Sequence, residues 1–235
     1  MSDSCFERYE KKYLLTKEEY EQVMSSLQNH MKVDQYGLST ICNIYYDTLN
    51  YRLIRESIEK PVYKEKLRLR CYGVPKQDTV SYVEIKKKYE GIVYKRRISL
   101  PYSEAYKWLS GDEKDINLSD ESGNRHQIEK EIAYFKEFYK DLQPACVLCY
   151  DRIALYGIED KEIRVTMDSN IRWRTEDLDL LHGDQGSLLF DEDYYLMEIK
   201  VPKYMPEWLI RLLNDNKIYP TSFSKYGNVY KSIFE

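Results

Sequence analysis

Charged residues recur at every second position in several strand-like segments of this chain, with apolar residues between them. Three segments show the pattern most clearly: Lys64, Lys66, Arg68 and Arg70 alternate with Leu67 and Leu69; Glu84, Lys86 and Lys88 with Val83 and Ile85; Glu198 and Lys200 with Met197, Ile199 and Val201. Successive side chains of a β-strand point to opposite faces, so each segment builds one charged and one apolar face. One such segment is typical of a solvated sheet surface. Its repetition, with a bias to Lys and Arg, predicts a barrel with a charged interior.

The overall charge limits what the chain is expected to bind. Its 235 residues include 36 Lys and Arg against 40 Asp and Glu, a formal net charge of −4. This argues against broad electrostatic attraction to nucleic acid, so an anion site has to come from the local placement of basic side chains. No basic outer stripe with interleaved aromatic residues stands apart from the alternating pattern. We therefore expect no nucleic-acid partner.

The sequence predicts a cytoplasmic protein. Its N-terminus lacks the apolar run of a signal peptide, and no stretch approaches the roughly 18 apolar residues of a membrane span. Five cysteines without disulfide spacing fit a reducing compartment. Cys146 and Cys149 form a CxxC pair, but in an apolar strand their thiols would point to opposite faces, so we predict neither a zinc site nor a redox site there.

Strand and helix patterns follow one another along the chain without a linker or a repeat. Strands are predicted at 6–14, 39–46, 63–72, 81–89, 92–100, 145–155, 162–168 and 194–201. Helices are predicted at 16–27, 103–110, around 128–138 and after Pro206, with a turn or short helix at 48–56 and an irregular loop at 175–193. Thr16 and Glu19 have the spacing of a capping box. We expect residues 1–235 to form a single domain.

About eight antiparallel strands are enough to close a barrel with a solvent-filled or ligand-filled lumen. We therefore expect an α+β fold, an antiparallel β-barrel or tunnel of about eight strands with a charged lumen and helices packed on the outside. Because unpaired buried charges are heavily penalised, such a lumen has to stay wet or hold a counter-charge. A polyanion is the natural occupant.

The chain resembles a known family at its opening strand and at six later fragments. The stretch 8–12, RYEKK, is similar to the ExExK strand of the CYTH or triphosphate tunnel metalloenzyme superfamily, with Arg8 in place of the first Glu. The later fragments follow in order: KLRLRCYG at 66–73, EIK at 84–86, YDR at 150–152, RVTMD at 164–168, EIK at 198–200 and SKY at 224–226. Within the superfamily the chain looks like a VTC-type polyphosphate polymerase domain, a group that commonly departs from the motif at the same place.

The resemblance implies which residues hold phosphate. By match of motif, the phosphate ligands are Lys12, Arg68, Arg70, Lys86, Arg152, Arg164 and Lys225. Lys66, Lys95 and Lys200 share the parity of the charged faces, and we expect them, with Tyr150, to contribute to nucleotide or phosphate binding. The family's metal ligand falls on Glu198, and Glu10 is a second candidate. The alternatives are that Glu198 only pairs with a lumen arginine and that Arg68 and Arg70 belong to a solvated face.

The chemistry of the ligand fits these residue types. Three linked phosphates carry about four negative charges, which guanidinium groups bind in a forked geometry and lysines bind as point charges. A divalent cation, Mn²⁺ or Mg²⁺, prefers carboxylate and phosphate oxygens. Phosphoryl transfer needs alignment and charge neutralisation, and no nucleophilic side chain.

The resemblance thus implies a polymerase that transfers the γ-phosphate of ATP to polyphosphate and releases ADP. One alternative is a triphosphatase that transfers the phosphoryl group to water, and another is a non-catalytic module that binds polyphosphate or nucleotide. Arg8 favours the polymerase, since hydrolases of the superfamily tend to keep more carboxylates. The expected partners are ATP, polyphosphate or pyrophosphate, and a membrane partner protein if the product is exported.

Overall fold

The computed structural model describes residues 9–90, 92–111, 123–190 and 193–234. Arg8 and the start of the first predicted strand at 6–8 therefore lie outside the described residues. The strands are β1 (Tyr9–Leu15), β2 (Met31–Thr48), β3 (Tyr63–Tyr72), β4 (Val80–Tyr89), β5 (Ile92–Pro101), β6 (Leu142–Gly157), β7 (Arg164–Arg174), β8 (Ser187–Leu188) and β9 (Tyr195–Val201). The helices are α1 (Lys17–Leu27), α2 (Arg52–Ile58), α3 (Tyr102–Ser110), α4 (Gly123–Phe138), α5 (Glu207–Asp215) and α6 (Lys225–Phe234), with a 3₁₀ turn at Leu180–His182.

The strands of the described residues form one sheet in the order β1-β9-β7-β6-β2-β3-β4-β5, with β8 paired to β7. The ladders β1·β9, β7·β9, β7·β8, β2·β3, β3·β4 and β4·β5 are antiparallel. The α+β class and the large antiparallel sheet are thus confirmed, with nine strands among the described residues where about eight were expected. In the same part of the chain, no ladder joins β1 to β5, so closure into a barrel is not detected.

The chain folds into two compact units, each assembled from separate stretches of sequence. The first consists of the described residues of Met1–Ser39, Tyr150–Ile171 and Phe190–Ser224, and the second of those of Thr40–Cys149, Arg172–Leu189 and Lys225–Glu235. The expectation of a single domain over 1–235 stays a prediction.

The core of the first unit lies on the apolar face of β1, β7 and β9. Helix α1 begins with the expected capping box, in which Glu19 N–H donates to Thr16 Oγ1 at 3.3 Å and Thr16 N–H donates to Glu19 Oε2 at 2.8 Å. Val23 of α1 and Leu209 of α5 are fully buried against strand residues such as Val165. The strand side chains in this core are those at the apolar positions of the alternating pattern.

The core of the second unit is built in the same way on β2–β4 and their neighbours. Leu67 and Ile85 lie opposite each other in the ladder and are fully buried. Trp108 of α3 and Phe135 of α4 belong to the same hydrophobic cluster. Helices therefore cover the apolar face in both units, which is the arrangement the amphipathic patterns predict.

Several elements differ from the sequence-based expectation. Strand β2 begins at Met31 rather than 39. Its first half is mostly exposed and carries no apolar alternation, so the local sequence does not indicate a strand there. Strand β7 continues to Arg174 rather than 168, with β8 paired to its end, so the predicted loop at 175–193 contains a short strand and a 3₁₀ turn. Helix α6 was not predicted, although it buries Tyr226, Gly227 and Val229.

No helix within the described parts of the chain combines the length and the apolar character needed to cross a membrane.

Candidate functional site

In the second unit, the register of β3, β4 and β5 collects the basic residues on one face of the sheet. Arg68 pairs with Glu84, and Glu84 pairs with Arg97 in the next ladder. Directly paired residues of antiparallel strands point to the same side. The basic side chains on this face are Lys64, Lys66, Arg68, Arg70, Lys86, Lys88, Lys95 and Arg97. Glu84 is the one acidic residue that these three strands, as described, place on this face.

Glu84 is the centre of this basic face. Its side chain is 1% exposed and lies 2.6 Å from Arg68 Nη2, 2.6 Å from Lys95 Nζ and 3.7 Å from Arg70 Nε. Burial alone would raise the pKa of Glu84, but the charges of Arg68, Arg70 and Lys95 outweigh it and lower the pKa to about 2. The carboxylate is therefore ionised at neutral pH.

Strand β2 fixes the two arginines from the other side. Arg68 Nη1 donates a hydrogen bond to Tyr45 Oη at 3.2 Å, and Arg70 Nε donates to Asn43 Oδ1 at 3.0 Å. The Asn43 side chain is itself held, because its Nδ2 donates to the carbonyl of Leu148 at 2.9 Å. The guanidinium groups are thus oriented by the protein before any ligand binds.

The first unit carries a second cluster, formed by two lysines and two glutamates. Lys12 Nζ lies 3.6 Å from Glu10 Oε1 and 3.9 Å from Glu198 Oε2. Lys200 Nζ lies 2.5 Å from Glu198 Oε1 and 3.9 Å from Glu10 Oε2. Each lysine therefore contacts both carboxylates. The register of β1·β9 brings them together, because Lys12 is paired with Glu198 and Glu10 with Lys200.

Arg152 forms a forked ion pair in the same unit. Its Nε donates to Asp168 Oδ1 at 2.6 Å and its Nη2 donates to Asp168 Oδ2 at 2.8 Å. The guanidinium also lies over the ring of Tyr150, 5.1 Å from its centroid. Burial would lower the pKa of Arg152, but Tyr150 and Asp168 outweigh it and raise the pKa, so the guanidinium keeps its charge.

The remaining predicted phosphate ligands are placed as follows. Lys66 and Lys86 lie directly opposite each other, one row from Glu84, with Lys66 half-buried and Lys86 exposed. Arg164 pairs with Lys200 across β7·β9 and is exposed, with its guanidinium 5.9 Å from the Tyr156 ring centroid. Lys225 is the first residue of α6 and is half-buried.

Sequence reasoning missed the two acidic partners, Glu84 and Asp168. Both are fully buried, and each holds predicted phosphate ligands. A signal existed in each case, since Glu84 lies two residues before Lys86 and Asp168 four residues after Arg164, at the parity of the charged faces. Which cation each acid would meet depends on strand register, which the sequence does not state.

The residues at the predicted metal site have suitable chemistry but form only part of a coordination shell. Glu10 and Glu198 supply hard oxygen donors, and their shared contacts with Lys12 and Lys200 show that they lie close together. No group of three or more His, Cys, Asp or Glu side chains in the described residues is arranged to hold a metal ion. The two carboxylates therefore fit a divalent cation whose other ligands come from substrate or water.

Comparisons with known proteins agree with this architecture. The fold is similar to that of a candidate adenylate cyclase from Bacillus halodurans, with 14% identity, 96% coverage of both chains and a TM-score of 0.53. It is also similar to a candidate adenylyl cyclase from Hippeastrum described as having a dominant triphosphatase activity, with 16% identity, 96% coverage of both chains and a TM-score of 0.58. None of the curated proteins matches the sequence.

The chain shares the overall fold of these two structures. The model of one family, the VTC domain, matches residues 7–234. The chain belongs to the VTC domain family, which confirms the resemblance seen in the sequence.

Proposed function

We propose that the chain is a polyphosphate polymerase that transfers the γ-phosphate of ATP to a growing polyphosphate chain. A terminal oxygen of polyphosphate attacks the γ-phosphorus, the bond from that phosphorus to the β,γ-bridging oxygen breaks, and ADP leaves. The observation that carries the proposal is the face on which Arg68, Arg70 and Lys95 converge on buried Glu84. Membership of the VTC domain family supports polyphosphate as the substrate class of this anion site.

The basic face suits a polyphosphate because it carries far more positive than negative charge. Arg68 and Arg70 are held by Tyr45 and Asn43, so little side-chain freedom is lost when phosphate oxygens bind. Guanidinium groups bind two oxygens at once, whereas lysines such as Lys86 add charge without a fixed geometry. In this proposal, the arginines hold the reacting phosphates in line and stabilise the charge of the transition state.

The other proposed phosphate ligands are Lys12, Arg152, Arg164 and Lys225. The residues proposed to contribute further to nucleotide or phosphate binding are Lys66, Lys95, Lys200 and Tyr150. Glu198 and Glu10 are the residues that would hold Mn²⁺ or Mg²⁺. A divalent cation bound there would neutralise part of the phosphate charge. Lys12 and Lys200 bridge the two carboxylates and limit their mutual repulsion.

The tunnel, the cytoplasmic location and the single domain expected from the sequence are part of the proposal. A tunnel open at both ends would let the polymer leave on one side while nucleotide enters on the other. Substrates would be ATP with polyphosphate or pyrophosphate, and export of the product would need a membrane partner protein.

The test is to incubate the purified protein with ATP and Mn²⁺ and to follow ADP, free phosphate and polyphosphate together. Arg68→Ala and Glu198→Ala should abolish polymer formation. Lys11→Met is the matched control, because Lys11 is an exposed neighbour of Lys12 that points to the opposite face of β1. Polymer formed in step with ADP, and lost in the two site variants alone, supports the polymerase.

The other outcomes select the alternatives. Free phosphate that appears with ADP but without polymer indicates a triphosphatase. Tight binding of triphosphate without any turnover indicates a binding module.

A further inference from the structure

Three aromatic side chains of the first unit form a partly exposed cluster. The ring centroids of Phe190 and Tyr194 are 5.4 Å apart, and those of Phe190 and Phe223 are 5.8 Å apart. All three side chains are half-buried, so the cluster keeps contact with solvent. The stretch from Phe190 to Tyr194 follows the second unit's β8, and Phe223 lies in the segment between α5 and α6.

The cluster is attached directly to a proposed phosphate ligand. Lys12 Nζ donates a hydrogen bond to the backbone carbonyl of Phe223 at 3.1 Å. The backbone N–H of Thr221 donates to the carbonyl of Lys12 at 2.7 Å. Lys12 therefore contacts this segment at two points, one of them the backbone of Phe223.

The position of the cluster along β9 suits the length of a nucleotide. Tyr194 directly precedes β9, and Glu198 follows four residues later, about 13 Å along an extended strand. Between them, Leu196 pairs with Asp168, the partner of Arg152. Along this face, the cluster of Glu198 and Lys200 therefore comes first, the ion pair of Arg152 with Asp168 comes next, and the aromatic rings come last. That order matches phosphates at one end of a ligand and a planar base at the other.

Four other aromatic residues beside the basic clusters, Tyr45, Tyr82, Tyr150 and Tyr226, each have a ring face covered by a neighbouring side chain. Tyr150 is 3% exposed and is covered by the guanidinium of Arg152. Tyr45 and Tyr226 stack on each other at 4.7 Å and are both buried. The guanidinium of Arg97 lies over the ring of Tyr82, 4.9 Å from its centroid.

We infer that Phe190, Tyr194 and Phe223 form a subsite on which the nucleobase of the phosphate donor stacks. The inference rests on the proposed function and adds to it the means by which the protein prefers a nucleoside triphosphate to inorganic tripolyphosphate. Stacking on aromatic rings tolerates every base, so the subsite selects for a base without strong selection among bases.

The test compares dissociation constants for ATP and tripolyphosphate, measured by calorimetry on the full chain. Phe190→Leu and Phe223→Leu should each weaken ATP binding about tenfold relative to tripolyphosphate binding, which is the usual scale of one base–aromatic contact. Leucine at 223 keeps the backbone carbonyl that Lys12 uses. Phe138→Leu, at an exposed phenylalanine of α4, is the matched control. It should leave the ratio of the ATP to the tripolyphosphate dissociation constant unchanged. Melting temperatures establish that each variant is folded.

Each result has a defined meaning. A ratio of the ATP to the tripolyphosphate dissociation constant that rises in both cluster variants and not in Phe138→Leu supports the subsite. A ratio that stays constant in folded cluster variants, or that rises instead in Tyr82→Leu, overturns the subsite and leaves the proposed function intact. A wild-type protein that binds neither ligand overturns the proposed function, and the subsite with it.

Discussion

The carboxylate of Glu84 lies 2.6 Å from the Nη2 atom of Arg68 on the neighbouring strand, at a point where the side chain of Glu84 is almost completely buried. Lys95 and Arg70 approach the same carboxylate. A buried ion of one sign that meets three of the other leaves an excess of positive charge, which further anions can neutralise. Glu84 thus keeps the basic face folded while it leaves that face attractive to phosphate.

Replacement of Glu84 by Gln should therefore destabilise the protein and make its stability depend on anions. We expect the free energy of unfolding in phosphate-free buffer to fall by about 3 kcal/mol, because three cations lose their common counter-ion. Tripolyphosphate should raise the melting temperature of the variant more than that of the wild type, since the ligand restores the lost negative charge. Differential scanning fluorimetry with and without tripolyphosphate measures both effects.

The control for this variant is Glu56→Gln. Glu56 pairs with Arg52 on the exposed surface of α2, so its loss should change stability by less than about 1 kcal/mol. Equal effects of the two variants, or an equal ligand response of Glu84→Gln and the wild type, would contradict the assigned role of Glu84.

The same carboxylate predicts a loss of stability in acid. Its pKa is about 2 in the folded protein against an ordinary value of 4.5. Because the folded-state pKa is depressed, the contribution is fully present above 4.5 and is lost as the pH falls towards 2. Its size is on the order of 3 kcal/mol. Urea unfolding of wild type and Glu84→Gln at several pH values should show a difference that shrinks below about pH 4.5, and a constant difference would exclude this carboxylate as the cause.

Asp168 is a buried counter-ion of Arg152, and removal of its charge should destabilise the protein. Asp168→Asn keeps the shape of the side chain but removes the charge that two guanidinium nitrogens contact. We expect a loss of about 3 kcal/mol in the free energy of unfolding, since Asp168 is fully buried. Urea denaturation measures it. Asp151→Asn is the control, because Asp151 accepts a hydrogen bond from Asn170 at the surface, and comparable losses would contradict the prediction.

The alternating pattern predicted the strands and the faces because both depend on local sequence. Strand β3 has the bounds expected from the sequence, Tyr63–Tyr72, and its basic side chains share one face with those of β4 and β5. The capping box of Thr16 is likewise a local signal and was found as expected. Parity therefore indicated which side chains of each strand share a face, whereas the pairing of these faces across β3, β4 and β5 follows from the register.

Features that depend on pairing between distant segments were not predictable. The first half of β2, from Met31, is mostly exposed and lacks the apolar alternation by which the other strands were predicted. Helix α6 contains Gly227, a weak helix former, and buries Tyr226 and Val229. The partners of Glu84 and Asp168 follow from strand register, which is fixed by the fold rather than by the local pattern.

Tyr226 provides a last test, because it joins α6 to a buried carboxylate. Its hydroxyl donates to Asp47 Oδ2 at 3.1 Å, while Asp47 also accepts hydrogen bonds from the backbone N–H groups of Leu53 and Ile54 in α2. Burial raises the pKa of Asp47, and these hydrogen bonds lower it in part. Tyr226→Phe should therefore cost about 1.5–3 kcal/mol in unfolding free energy, the scale of a hydrogen bond to a charged group.

Tyr226→Leu should cost more, because it also removes the ring that stacks on Tyr45 at 4.7 Å. Urea unfolding of both variants in wild-type and Asp47→Asn backgrounds forms a double-mutant cycle. The cost of Tyr226→Phe should shrink when Asp47 is replaced, since the hydroxyl then faces no carboxylate. An undiminished cost in that background would show that the hydroxyl stabilises the protein by another contact.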